Sequence, residues 1–95
     1  MSENIKTYKI LLSGRVQGVG FRYFSQSRAS KYNIKGFVRN TYASKVEIVC
    51  QGEEEELEQF INEVRKGPAF SVVSDIEIEE IKKPQKYDSF DIKFY

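Results

Sequence analysis

Residues 14–22 read Gly14-Arg15-Val16-Gln17-Gly18-Val19-Gly20-Phe21-Arg22, and they include three glycines and two arginines. A strand-like segment precedes this stretch and a helix-like segment follows it, so the stretch connects the two elements. Glycines let a backbone turn its N–H groups inward, a helix start adds partial positive charge, and the guanidinium of Arg22 matches phosphate oxygens. The stretch therefore predicts a phosphate-binding loop.

The spacing of this loop excludes two familiar nucleotide-binding motifs. A P-loop that began at Gly14 would need Gly-Lys-Ser/Thr where Val19, Gly20 and Phe21 stand. A dinucleotide-binding fingerprint would need glycine or alanine three residues after Gly20, where Tyr23 stands. Neither ATP nor NAD is predicted as a ligand. Taken alone, the loop still leaves open a plain glycine-rich turn between two elements.

A second motif, Gly36-Phe37-Val38-Arg39-Asn40-Thr41, follows the loop at a distance of about one helix and one strand. The two motifs in this order resemble the paired signatures of the acylphosphatase family, whose members are small enzymes that hydrolyse the carboxyl-phosphate bond of acyl phosphates. The resemblance extends over nearly all of residues 1–95, which we expect to form a single domain. It implies acylphosphatase activity, with a small-molecule acyl phosphate and inorganic phosphate as ligands.

The resemblance also implies a set of site residues. Arg22 would bind phosphate together with the backbone N–H groups of the loop, which are those of Gln17, Gly18, Val19, Gly20 and Phe21. Asn40 would orient the attacking water through its side-chain amide. Arginine stays ionised and forms paired hydrogen bonds, and a neutral amide contacts water without repelling the phosphate. No cofactor is implied, and Arg15 and Thr41 remain outside the catalytic set.

The sequence contains no histidine and one cysteine, Cys50. The commonest general base and the commonest zinc ligand are therefore missing, and we predict no metal site. Cys50 alternates with Val46 and Ile48 in a strand-like pattern, which predicts a buried thiol. By resemblance to the family, the phosphate of the substrate is expected to accept the proton that histidine would otherwise take.

Length and charge limit the class of protein. A chain of 95 residues with 40% hydrophobic residues suits one compact core. Fifteen basic and 14 acidic residues give a formal charge of +1, which provides no broad field for nucleic acid or an anionic membrane. The sequence has no apolar signal region and no membrane-spanning run. We expect a cytoplasmic monomer without nucleic-acid or membrane partners.

Hydrophobic periodicity predicts helices at 21–32 and 53–66, and strands at 7–13, 34–40, 45–51 and 72–81. The second helix has one apolar face, formed by Leu57, Phe60, Ile61 and Val64, and Asn33 is expected to end the first helix in a left-handed conformation. A further short strand is predicted around Phe90, Ile92 and Phe94. The order matches the split βαβ pattern. With the resemblance, it implies an α+β ferredoxin-like α/β sandwich: βαββαβ with an additional short C-terminal strand, and two helices on one face of a mixed or antiparallel sheet. This topology would bring Arg22 close to Asn40.

Two alternatives to an enzyme remain open. RNA-recognition domains share the βαββαβ order, and Lys35-Gly36-Phe37-Val38 is similar to their basic-Gly-aromatic motif. That motif belongs on the third strand, however, and here it falls on the second. The other alternative is a non-catalytic regulatory module that binds phosphate through the loop. The presence of both Arg22 and Asn40 favours an enzyme over either module.

Overall fold

Five strands and two helices make up the computed structural model of the chain, which describes residues 4–94. They are β1 (Ile5–Arg15), α1 (Phe21–Lys31), β2 (Lys35–Asn40), β3 (Val46–Glu53), α2 (Glu54–Lys66), β4 (Val72–Glu80) and β5 (Phe90–Lys93). The predicted order of elements and the ferredoxin-like α+β fold are confirmed, and so is the short fifth strand. Only the boundaries differ, by a few residues.

The strands form one mixed sheet in the order β4-β1-β3-β2-β5. β3 runs antiparallel to both of its neighbours, β1 and β2, while β5 runs parallel to β2. As a result β1, β2 and β5 all finish at the same edge of the sheet, at Arg15, Asn40 and Lys93. We call this edge the loop end, and the edge where these three strands begin the far end.

The core lies between the helices and one face of the sheet. Ile10 and Leu12 of β1 and Ile48 of β3 are fully buried. On α2 the predicted apolar face consists of Leu57, Phe60, Ile61 and Val64; Ile61 is partly buried and the other three are buried. The Phe60 ring meets the Phe90 ring edge-on, with 6.0 Å between centroids. Aromatic packing of this kind joins α2 to β5 and fixes the position of the last strand.

Both helices end as their sequences predict. Asn33 follows α1 with φ of 59°, the left-handed conformation expected of it. The Ile34 N–H donates to the Ala29 carbonyl at 2.8 Å, and the Asn33 N–H donates to the Ser30 carbonyl at 3.5 Å, which together form a Schellman motif. α2 ends before Gly67 and carries basic residues in its last turn. No helix within residues 4–94 is long and apolar enough to cross a membrane.

The start of α2 corrects one predicted boundary. Glu53 was expected to open the helix, but it is the last residue of β3 and the N-cap of α2. Its ψ of 146° is extended, because its backbone pairs with Ile5 in the sheet. The next three glutamates occupy the first helical turn, where negative charge complements the positive end of the helix.

β4 lies at an edge of the sheet and is largely exposed. Within residues 4–94 it pairs with β1 alone. Ile76 is partly buried against the core, but Ile78 is 41% exposed. The exposed residues of β4 also include three carboxylates, Asp75, Glu77 and Glu79. Charges on an edge strand oppose pairing with a strand of another molecule.

Candidate active site

A pocket of about 200 Å³ lies at the loop end of the sheet. Its lining consists of Val16, Gly18, Gly20, Phe21, Arg22, Tyr23 and Asn40. The pocket thus combines the 16–20 loop between β1 and α1, the first turn of α1 and the last residue of β2. Arg22 and Asn40, which lie in separate sequence motifs, line the same pocket. Gly18, Gly20 and Phe21 join them there, whereas Gln17 and Val19 are not part of the lining.

Two glycines give the 16–20 loop its shape. Gly18 and Gly20 have φ values of 75° and 79°, a left-handed conformation that disfavours residues with a side chain. A Cβ atom at either position would meet no neighbour within 4 Å, so backbone conformation and not crowding accounts for glycine here. Gly20 is the N-cap of α1 and provides no side-chain cap. The first N–H groups of α1 therefore lack a capping partner and are available to an anion.

Buried apolar side chains hold the loop in place on both sides. Val16 and Phe21 are almost completely buried, and Val19 packs against the same core. The Phe21 ring lies edge-on to that of Phe24, with 6.0 Å between centroids. Among the residues predicted to bind phosphate through their backbone, Val19 and Phe21 therefore use their side chains to anchor the loop.

The side chain of Gln17 joins the loop to the β2–β3 turn. Its Nε2 donates to the Thr41 carbonyl at 3.0 Å and to the Lys45 carbonyl at 2.9 Å. Asn40 directly precedes Thr41, so both bonds attach the loop to the segment that carries Asn40. Sequence reasoning gave Gln17 only a backbone role and missed this bridge. The available signal was an amide with two N–H donors inside a loop otherwise rich in glycine and valine.

The β2–β3 turn is itself well ordered by hydrogen bonds. The Thr41 Oγ1 accepts from the backbone N–H groups of Ala43 and Lys45, at 3.2 and 3.1 Å. Ser44 adopts a left-handed φ of 64°. Asn40 pairs with Val46 at the end of the ladder, and its side chain makes no hydrogen bond within residues 4–94. The turn thus fixes the Asn40 backbone and leaves its amide available.

The end of β5 reaches Arg22. The guanidinium carbon of Arg22 lies 4.7 Å from the centre of the Phe94 ring, and its Nη1 lies 3.5 Å from the Lys93 carbonyl oxygen. A cation–π contact does not use the N–H donors of the guanidinium, so those not directed to Lys93 stay free for an anion. Sequence reasoning treated Phe94 as a strand residue alone. Its contact depends on the parallel pairing of β5 with β2, which no local pattern reveals.

Cys50 lies in the middle of β3, away from the pocket. It is fully buried, and burial raises the pKa of its thiol to about 12. The prediction of a buried thiol is confirmed, and a thiol with this pKa stays protonated and unreactive at neutral pH. Among residues 4–94, no group of three His, Cys, Asp or Glu side chains is arranged to hold a metal ion.

A larger pocket of about 610 Å³ lies at the far end of the sheet. Its lining includes Lys35, Gln51 and Tyr87. The Gln51 side chain donates to the Gln85 carbonyl and to Thr7 Oγ1, both at 2.9 Å, and accepts from the Tyr87 N–H at 3.1 Å. Gln51 therefore has its hydrogen-bonding capacity used in fixing the connection before β5. Neither Arg22 nor Asn40 lies in this pocket.

Comparison with protein families and curated proteins gives a consistent result. A family model described as Acylphosphatase matches residues 8–92. A protein named Acylphosphatase from Bacillus licheniformis is 46% identical over 87 residues, which cover 92% of this chain and 97% of that protein. Another of the same name, from Thermotoga maritima, is 44% identical over 91 residues, covering 96% of this chain and all of that protein.

Solved structures resemble the fold closely. A crystal structure of acylphosphatase from Bacillus subtilis superposes with a TM-score of 0.89 at 41% identity, covering 93% of this chain and 98% of that one. A crystal structure of full-length HypF in its phosphate- and nucleotide-bound form gives a TM-score of 0.87 at 40% identity. It covers 94% of this chain but 12% of that much longer chain.

Proposed function

The chain belongs to the acylphosphatase family and hydrolyses the carboxyl-phosphate bond of acyl phosphates, and on that premise we propose that Arg22, Asn40 and the backbone of residues 17–22 perform the reaction. One observation carries this assignment. Arg22 and Asn40 line a single pocket together with the uncapped start of α1. A cation, a neutral amide and free backbone donors thus converge on a space suited to a phosphoryl group.

Phosphate binding is assigned to the start of α1 and to Arg22. The first turn of α1 contains no acidic residue, and Gly20 leaves its N–H groups uncapped. Arg22 lies in this turn, where the helix dipole disfavours a cation by about 0.3–1 kcal/mol. A bound phosphate would reverse this unfavourable interaction, because the anion attracts both the guanidinium and the helix start. The position of Arg22 therefore supports binding of a doubly charged phosphoryl group.

Asn40 is assigned to the attacking water. Its Oδ1 can accept a hydrogen bond from water while its Nδ2 donates to a phosphoryl oxygen, and the neutral amide does not repel the anion. The water oxygen forms a bond to phosphorus as the bond from phosphorus to the carboxyl oxygen breaks. The carboxylate leaves with that electron pair, and both water protons remain with the phosphate product. Because the leaving group is good, positioning and charge stabilisation suffice for catalysis.

We propose that the enzyme works without a metal ion, as a cytoplasmic monomer, and without nucleic-acid or membrane partners. The absence of histidine supports the lack of a metal ion, and the formal charge of +1 supports the lack of nucleic-acid and membrane partners. Within residues 4–94, Arg22 is the only lysine, arginine, aspartate or glutamate of the pocket lining. The positive charge of the pocket therefore comes from one side chain.

The test is hydrolysis of benzoyl phosphate by the purified protein in the presence of a chelator. Arg22→Gln is expected to lower kcat/KM by about 10²-fold or more, as removal of a preorganised polar group commonly does. Arg15→Gln provides the matched control, because Arg15 is an exposed arginine at the end of β1 and lies outside the pocket lining. A folded wild-type protein that binds inorganic phosphate but hydrolyses nothing would make the chain a regulatory module.

A further inference from the structure

Exposed aromatic side chains lie beside Arg22. Among residues 4–94, the aromatic side chains exposed by more than half are Tyr23, Tyr42, Phe70 and Phe94. Two of them adjoin Arg22: Tyr23 lines the pocket, and Phe94 lies against the guanidinium. Rings beside a polar site are available to the apolar part of a bound ligand.

The size of the pocket leaves part of a large substrate unaccounted for. Pockets that bury a drug-sized ligand usually measure about 300–1,000 Å³, and this one measures about 200 Å³. The loop backbone, Arg22 and Asn40 are already assigned to the phosphoryl group and the water. A large acyl group therefore extends beyond the pocket, past Tyr23 in its lining and towards Phe94 beside Arg22.

The chemistry of this surface selects one class of acyl group. A second anionic group on the substrate would need a second cation, and within residues 4–94 Arg22 is the only charged residue of the pocket lining. The neighbouring Lys93 directs its ammonium to the Phe37 ring, 4.1 Å from the centroid, on another part of β5 and β2. Aromatic faces gain most by covering apolar or aromatic groups.

Building on the proposed function, we propose that Tyr23 and Phe94 form an acyl-binding subsite that favours acyl phosphates with an aromatic or large apolar acyl group over small ones such as acetyl phosphate. Phe94 then has two contacts, one with Arg22 and one with the acyl group. Tyr23 contributes its ring alone, so its hydroxyl is not required. The subsite determines specificity, while the phosphoryl end is held in the same way for every substrate.

The test measures kcat/KM for benzoyl phosphate and for acetyl phosphate and divides each value by the rate constant of uncatalysed hydrolysis of the same compound. The ratio of the benzoyl phosphate value to the acetyl phosphate value then measures the preference for an aromatic acyl group. In Tyr23→Ala this ratio should fall by about 2- to 10-fold, the range of a single aromatic contact, mainly through KM for benzoyl phosphate. Tyr23→Phe should keep the wild-type ratio. Phe94→Leu should lower the ratio as well, since leucine provides less surface for an aromatic ring.

Tyr42→Ala is the matched control, because Tyr42 is a fully exposed tyrosine outside the pocket lining. Its ratio should equal that of the wild type. The subsite is overturned if Tyr23→Ala keeps the wild-type ratio, or if Tyr42→Ala lowers it equally. Failure of the proposed function is distinguishable from both results, because the wild type would then hydrolyse neither substrate and both proposals would fall.

Discussion

The two ends of the sheet differ in what their polar groups do. At the far end, the pocket of about 610 Å³ is bounded by Gln51, whose amide makes three hydrogen bonds that hold the chain together. At the loop end, the pocket is about a third as large, yet the first turn of α1 has no acidic residue, unlike that of α2, and the Asn40 amide has no partner within residues 4–94. A cation, an available amide and a helix start without carboxylates, combined in one pocket, identify this site better than the volume of a cavity does.

The pocket at each end of the sheet is lined by one asparagine, Asn40 at the loop end and Asn33 at the far end. We expect substitutions of these two residues to differ most in their effect on turnover. Asn40→Ala should lower turnover by about 10²-fold or more, because the water loses its positioning group. Asn33→Gly at the far end should keep wild-type turnover, since its left-handed backbone suits glycine. Steady-state kinetics with benzoyl phosphate measures both variants. Equal losses at the two positions would contradict the difference between the ends.

Each end also contains a glutamine that bridges two segments. Gln17→Met, similar in length but without donors, should lower kcat by about 10-fold, because the loop and Asn40 are then no longer held together. Gln51→Met should keep kcat but lower the free energy of unfolding by about 1–3 kcal/mol, through loss of its three hydrogen bonds.

Kinetics and chemical denaturation on the same samples separate the two roles. If Gln17→Met loses stability but keeps kcat, then Gln17 supports the fold and does not position the site.

Ser44 lies at the loop end but outside the pocket lining, and its left-handed backbone is strained. Ser44→Gly should raise the free energy of unfolding by up to about 1 kcal/mol, because glycine adopts this conformation without steric cost. Turnover should stay at the wild-type value. Urea denaturation monitored by circular dichroism gives the stability change. A destabilised variant would mean that the Ser44 side chain supports the turn.

Glu63 connects the helices away from the pocket, and it adds a small pH-dependent contribution to stability. A hydrogen bond from the Tyr32 hydroxyl, followed by one from Arg28, lowers the pKa of its carboxyl below the ordinary 4.5. The carboxylate therefore stabilises the fold above that value, and this contribution is lost as pH falls through the lowered pKa.

Glu63→Gln should accordingly melt below the wild type at pH 7, and this difference in melting temperature should disappear as the pH falls below 4.5. Thermal melts across this range test the prediction. A difference in melting temperature that stayed constant with pH would show that the charge of Glu63 is not its cause.

Local patterns predicted most of the fold. The i, i+3, i+4, i+7 spacing of α2 located a buried face, and Asn33 marked the end of α1. The start of α2 was predicted one residue early, because Glu53 has the same charge as the helical glutamates but pairs with Ile5 across the sheet. A cross-strand partner distant in sequence outweighed a local preference.

The site was only partly predictable, for a similar reason. The two motifs named Arg22 and Asn40, and the order of elements indicated that they would meet. The bridge made by Gln17 and the stacking of Phe94 on Arg22 depend on contacts between segments 24 and more residues apart. Such contacts follow from sheet pairing, and no periodicity within one segment encodes them.

The acidic edge of β4 helps to keep separate molecules of the protein apart. The exposed carboxylates of Asp75, Glu77 and Glu79 repel the same edge of a second molecule. They lie on the same strand as the apolar side chains of Ile76 and Ile78, and within residues 4–94 the outer side of this strand has no neighbour. Without these charges the strand would be a template onto which another strand could add, so the three acidic residues protect solubility and not the fold.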